Sequence, residues 1–166
     1  MKCHVREETE VDHERIRYIT ECAFRPMPFS NGDEQNVVAR LRNSGNLILS
    51  IVATFEDQIV GHIAFSAAKM KGESVGWYAL GPVSVLPEYQ RMGVGSALIE
   101  AGLNYLQDQN ALGCIVTGNP FYYCNFGFEV AQEYAPAEEP KEYFMLIQFA
   151  DKKPSGRFSF DPAFYG

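Results

Sequence analysis

Between Val85 and Val94 the apolar pattern of the chain changes period, across the stretch Leu86-Pro87-Glu88-Tyr89-Gln90-Arg91-Met92-Gly93. The run from near Gly76 to Val85 has the composition of a strand, rich in residues that suit a pleated, half-buried surface. From Val94 onward Val94, Leu98, Ala101 and Tyr105 form one stripe at helical spacing, with Ala97, Leu103 and Leu106 alongside and Glu100, Asn104 and Asp108 facing away. The junction carries Gly93 and Gly95, which let a backbone turn tightly and come close to a ligand. A helix that starts there adds unpaired N–H groups and the positive end of its dipole. Such a loop suits phosphate.

The other elements surround this junction. Lys2 to Arg6 reads as a first strand, and Thr9 with Asp12 supplies a capping-box-like start to a helix with Ile16, Ile19 and Ala23 on one face. Pro26 and Pro28 stop that helix, and a second runs from Asp33 to Asn43 through Val37, Val38 and Leu41. Leu47 to Phe55 and Gln58 to Ala67, separated by Glu56-Asp57, predict an antiparallel hairpin. Leu112 to Thr117 predicts a short buried strand, Pro120 to Phe126 one or two helical turns, and Phe128 to Val130 and Tyr143 to Phe149 closing strands. The expected class is α/β with a mixed, mostly antiparallel sheet flanked by helices, in one domain over residues 1–166 without internal repeat or linker.

Composition narrows the partners. Fourteen Lys and Arg against 21 Asp and Glu leave a net charge of −7, and the basic residues cluster nowhere beyond Lys152-Lys153, which argues against nucleic acid. The longest uncharged stretch, Gln109 to Phe128, includes Asn110, Asn119, Pro120 and Asn125 and is unsuited to a bilayer. The first residues, Met1-Lys2-Cys3-His4-Val5-Arg6, lack the apolar run of a secretory signal, so the expected location is the cytoplasm. Cys3, Cys22, Cys114 and Cys124 lack the paired spacing of a metal site, and His4, His13 and His62 do not complete one. Buried free thiols, a structural His62 and no metal are expected.

The glycine loop fits neither nucleotide pattern. A dinucleotide fingerprint wants a third glycine where Leu98 stands, and a triphosphate loop wants Gly-Lys followed by Ser or Thr. Gln90, Gly93 and Gly95 instead resemble the acetyl-CoA signature of the GNAT superfamily of N-acetyltransferases. Leu80-Gly81-Pro82 before the loop and Gly118-Asn119-Pro120-Phe121-Tyr122-Tyr123-Cys124-Asn125-Phe126-Gly127-Phe128 after it resemble the YhbS-like branch of that superfamily. The resemblance implies a GNAT-like acyl-CoA N-acyltransferase fold with acetyl-CoA as cosubstrate. Backbone groups of Val83, Ser84 and Val85 would run beside the pantetheine arm, and Arg91, Met92, Gly93, Val94, Gly95 and Ser96 would wrap the pyrophosphate.

The resemblance also makes Tyr123 the residue that hands a proton to the departing CoA thiolate, with Tyr122 its neighbour. Asn119 is a further contact to pantetheine or a cap for the short helix. Strand Leu112 to Thr117 carries no Glu to serve as general base, so water-mediated deprotonation is expected, with a strand amide near Ser84 or Val85 stabilising the oxyanion. The implied reaction is direct transfer to a primary amine, on a small molecule or a peptide, in a ternary complex. The alternative is a non-catalytic acyl-CoA-binding regulatory module. The acidic run Glu129, Glu133, Glu138, Glu139 and Glu142 reads as a solvated face or as the border of a site for cationic amines. The aromatic tail Phe158, Phe160, Phe164 and Tyr165 could cover its own core or a second subunit in a homodimer.

Overall fold

In a computed structural model, which describes residues 2–166, seven strands share one sheet: β1 (His4–Glu7), β2 (Leu47–Phe55), β3 (Gln58–Met70), β4 (Glu73–Val85), β5 (Gly113–Thr117), β6 (Glu129–Val130) and β7 (Phe144–Gln148). Their order is β1-β2-β3-β4-β5-β7-β6, antiparallel throughout except for β4 with β5. The turn between β2 and β3 places Glu56 and Asp57 at φ 51° and 65°, the paired left-handed conformation that matches strand twist in a two-residue hairpin. A second such turn at Lys71-Gly72 joins β3 to β4, so both strands outrun the limits at Ala67 and Gly76 suggested by their apolar pattern. The hairpin tip is polar, and Lys69 Nζ donates across it to the Ser74 hydroxyl at 3.3 Å. On its other edge, Lys69 exchanges backbone bonds of 2.9 and 2.7 Å with Ser159.

Four α-helices pack on this frame: α1 (His13–Phe24), α2 (Glu34–Asn43), α3 (Val94–Asp108) and α4 (Pro120–Tyr123). Thr9 and Asp12 cap the short 3-10 turn that leads into α1, with the Thr9 N–H donating to Asp12 Oδ2 at 2.8 Å. The hydrogen bond from Arg6 holds the Asp12 carboxyl well below its ordinary range, at about 2. Helix α3 buries Val94, Leu98, Ile99, Gly102, Leu103 and Leu106. Its inward stripe is thus rotated from the expected one, leaving Tyr105 38% exposed. The cause is contact at Gly102, where an added Cβ would stand 2.2 Å from the Phe65 ring. That face of β3 carries Gly61 and Phe65 toward α3, while His62, between them, points to the opposite face.

Behind the sheet lies a buried polar cluster. His62 is fully buried, its Nε2 is 2.8 Å from Ser50 Oγ, and Ser50 donates in turn to Glu8. Arg42 of α2 meets Glu8 at 2.7 Å. Burial pushes His62 down to about 4, so the imidazole is a neutral structural group, as expected from its apolar setting. Burial also raises the Glu8 pKa, but hydrogen bonds from Arg42 and Ser50 and the charges of Arg42 and His13 outweigh it and hold the carboxyl below its ordinary value.

One expectation changes. Cys114 is buried, but Cys3 and Cys22 are half-buried and Cys124 is exposed, because Tyr123 takes the inward position at the end of α4. The aromatic tail closes over its own chain: Phe158 and Phe160 are buried, and Phe158 packs on Trp77 and Phe144 with ring centroids 5.1 and 6.1 Å apart. No helix among the described residues is long and apolar enough to cross a membrane.

Candidate active site

Strand β4 is paired on both sides only over its first half. It runs parallel to β5 at Trp77, Tyr78 and Ala79, opposite Gly113, Cys114 and Ile115, and the two strands then part. At the same level β4 carries one extra residue against β3, since Ile63 faces Val83 while Phe65 faces Leu80. This bulge holds Gly81 and Pro82, joined by a cis peptide bond, and bulges bend the strand that contains them. The result is a gap between Leu80–Val83 on one side and Val116–Asn119 on the other, lined by a cavity of about 1050 Å³.

Ladder alternation decides which main-chain groups face the gap. Leu86 N–H donates to the Val60 carbonyl at 2.9 Å, so Ser84, two residues back, also turns its polar groups to β3. Val83 and Val85 turn theirs to the open edge. Ser84 thus turns away from the gap: its side chain is buried on the face of its cross-strand partner His62, and its hydroxyl has no partner among the described residues. The Val85 carbonyl accepts from Gln90 Nε2 at 3.0 Å, which ties the glycine loop back to the strand it leaves.

The loop then delivers the helix. Arg91 adopts φ 63° and Gly93 φ 85°, and an added Cβ at Gly93 would meet nothing within 4 Å, so the loop presents bare main chain to open space. Ala97 N–H is the first in α3 with a helical partner, the Gly93 carbonyl at 3.0 Å. The N–H groups of Val94, Gly95 and Ser96 thus lie in the unpaired first turn. Gly95 and Ser96 border a second cavity, of about 390 Å³, lined also by Val83, Val85, Arg91 and Gly93 with Phe24 and Tyr122. Of the expected loop residues, Val94 has its side chain buried in the core and Met92 is exposed, and neither lines the two cavities.

Asn119 caps α4 by accepting from Phe121 N–H at 2.9 Å, and it borders the larger cavity. Behind it the Tyr123 ring lies flat on Gly118, where a Cβ would stand 2.6 Å from the ring, and packs edge-on against Tyr122 and Phe128. Burial first, then Tyr122 and Cys114, raises the Tyr123 pKa well above that of free tyrosine. Its hydroxyl is accordingly a proton carrier at neutral pH. Tyr122 borders both cavities, and its hydroxyl would stand 3.0 Å from a Cβ at Gly95.

The sequence pattern of the acetyltransferase (GNAT) family matches residues 11–128, which spans every one of these site elements. The chain belongs to the GNAT family. Among its relatives, the uncharacterised N-acetyltransferases YhbS and YjhQ of Escherichia coli K12 are 34% identical over 104 residues and 40% identical over 115. These matches cover 62% and 67% of this chain and 62% of each relative, so they span less than two thirds of the curated relatives' length. A GNAT family acetyltransferase from Brucella melitensis, solved in complex with acetyl-CoA, is 40% identical with a TM-score of 0.88, covering 98% of both chains. The crystal structure of Escherichia coli YhbS in complex with CoA superposes with a TM-score of 0.89 at 25% identity, covering 100% of this chain and 93% of that one. The mixed sheet flanked by helices is the GNAT fold.

In this GNAT protein several lining residues lie outside the expected set. Gln90 was visible as part of the loop motif, but its bond to the Val85 carbonyl depends on where the loop folds back. Tyr122 carried no signal beyond being adjacent to Tyr123. Phe24, Met27, Glu34, Glu139 and Phe164 reach the larger cavity from segments distant in sequence, and Glu139 is the member of the acidic run that does so.

Proposed function

We propose that this chain transfers an acetyl group from acetyl-CoA to a primary amine, by direct attack with both substrates bound together. The observation that carries the reading is the one-sided half of β4: an open main-chain edge at Val83 and Val85 runs directly to the unpaired first turn of α3, with Tyr123 across the gap. The residues suit CoA on this chain's own geometry. The space at Gly93 is open, and three N–H groups at the start of a fifteen-residue helix are placed for a pyrophosphate, with Arg91 beside them to add charge. With the Val85 carbonyl taken by Gln90, the main-chain groups of Val83 and the Val85 N–H are left for the amide groups of a pantetheine arm, in the manner of an added strand.

Acetyl-CoA supplies an acyl thioester, from which the amine nitrogen takes the acyl group as the carbon–sulfur bond breaks. The N–H groups on the open edge of β4 are the donors available to a developing oxyanion, fixed in place by the β3 ladder and therefore preorganised. Tyr123 gives its proton to the leaving sulfur and recovers one from solvent. Its raised pKa makes that transfer favourable only where the sulfur is also desolvated, and the cover of Tyr122, Phe128 and Gly118 supplies a dry setting. The proton lost by the amine passes to water.

The test is incubation of the full chain with acetyl-CoA and a panel of primary amines, following free thiol and acetylated product together. Equal amounts of CoA and acetyl-amine are expected. CoA that binds by calorimetry without any acetylated amine would instead mark a binding module.

A further inference from the structure

Resting on the acetyl-transfer reading, we infer that the acceptor is a small primary amine bearing an apolar, ring-sized group, seated against Phe24, Met27, Phe160 and Phe164 with Glu139 meeting its charge. The larger cavity continues past the β4–β5 gap into a chamber whose far wall is apolar. Phe160 and Phe164, with ring centroids 5.3 Å apart, enter it from the tail, while Phe24 and Met27, from the end of α1, stand where it meets the smaller cavity, which they also line. The tail is held there by Arg40 of α2, whose Nε donates to the Ala163 carbonyl at 2.9 Å, and its turn is capped from within, the Ala163 N–H donating to Asp161 Oδ1 at 2.9 Å. Ring faces and edges presented together favour an aromatic or branched guest over a linear polar one.

The charges lining the chamber select a cation. Asp33 is neutralised by Arg40 at 2.5 Å, whereas Glu34 and Glu139 each accept from one hydroxyl, of Ser30 at 2.6 Å and of Tyr165 at 2.7 Å, and form no ion pair among the described residues. Of the two carboxylates, Glu139 is the one tied to the tail that carries Phe164. Among the described residues Arg91 is the one cation lining the cavity, and it stands at the α3 end, where phosphate is expected. A protonated amine is therefore drawn to the chamber, and its apolar group sets its position. Size argues for a small molecule over a peptide. About 1050 Å³ must admit the end of the pantetheine arm as well as the acceptor, and pockets of ~300–1,000 Å³ hold one drug-sized ligand.

The test compares ethylamine, isopentylamine, phenethylamine and a polar tripeptide with a free amino terminus, using the full chain and saturating acetyl-CoA. The expected kcat/KM for phenethylamine exceeds that for ethylamine by about tenfold or more, the scale on which an apolar pocket separates homologues. Phe164→Ala should remove most of that margin through the amine's Michaelis constant, leaving that for acetyl-CoA unchanged. Because Phe164 also packs on Phe160, Glu139→Gln at the half-exposed rim provides a variant that keeps the wall intact. It should raise the Michaelis constant for phenethylamine about threefold at low salt, with the difference closing as salt screens the charge. Acetylation of all four acceptors with equal efficiency, or preference for the tripeptide, would overturn the inference and leave acetyl transfer standing. Acetylation of none would overturn both.

Discussion

The proposed phosphate end of the site is built mainly from one stretch, Val83 to Ser96, with Phe24 and Tyr122 beside it, whereas the proposed acceptor end is assembled from places far apart in the chain, around Val37, Val116, Glu139 and Phe160. The first is mainly main chain, positioned by a strand ladder, one side-chain tie from Gln90 and a helix start. The second is mainly side chain, and its shape depends on how the tail returns to α2. A backbone cradle can keep one cosubstrate while the side-chain chamber beside it is altered for different acceptors. Tyr122 borders both ends, and in the proposed reaction its neighbour Tyr123, on the larger cavity, supplies the proton.

The largest expected effect comes at that boundary. Tyr123→Phe should lower turnover by about 10²–10⁴-fold, the range for loss of a positioned acid, with little change in CoA affinity. Tyr122→Phe should do the reverse, weakening CoA binding a few-fold through its place beside Gly95 and leaving turnover close to that of the parent. Steady-state kinetics paired with calorimetry checks both, and an exchange of the two outcomes would move the proton donor to Tyr122.

The frame behind both ends is tested by pH. His62 titrates near 4 in the fold against 6.5 in the unfolded chain, so the unfolded state binds its proton first as pH falls. Stability is therefore full above about 6.5 and is lost as pH falls toward 4, by roughly 3 kcal/mol. Denaturant midpoints for His62→Gln should show a flatter acid limb than the parent. Equal slopes would mean that another group governs the acid limb.

Smaller effects separate the ends. Gly95 has ordinary helical geometry, and a side chain there would point at the Tyr122 hydroxyl, so Gly95→Val should weaken CoA binding about thirtyfold, or about 2 kcal/mol, while the amine's Michaelis constant holds. Gln90→Ala removes one hydrogen bond of about 0.5–1.5 kcal/mol and should cost CoA affinity a few-fold. Either change acting on the amine's Michaelis constant instead would show that the two ends are not separable.

The same contrast explains how far the sequence could be read. The change of period at Val85 to Val94, the Glu56-Asp57 turn and the Thr9 cap are local, and each element formed close to where its residues predicted. The orientation of Ser84 was hidden, because it depends on the β3 register and the bulge at Gly81-Pro82. The rotation of α3 was hidden too, since it depends on the Phe65 ring meeting Gly102 across the sheet. Glu139 and Phe164 could be noticed as an acidic run and an aromatic tail, but only the folded chain brings them to one chamber.

Amide hydrogen exchange with and without CoA tests the central claim most directly, because the claim is that main chain on the open edge of β4 and the first turn of α3 holds the cosubstrate. Saturating CoA should slow exchange at Val83, Val85 and Arg91 through Ser96, with Ser84, already engaged with β3, changing little. Unchanged exchange across that stretch, or protection appearing instead at the polar groove lined by Arg6, Arg15 and Asp57, would contradict it.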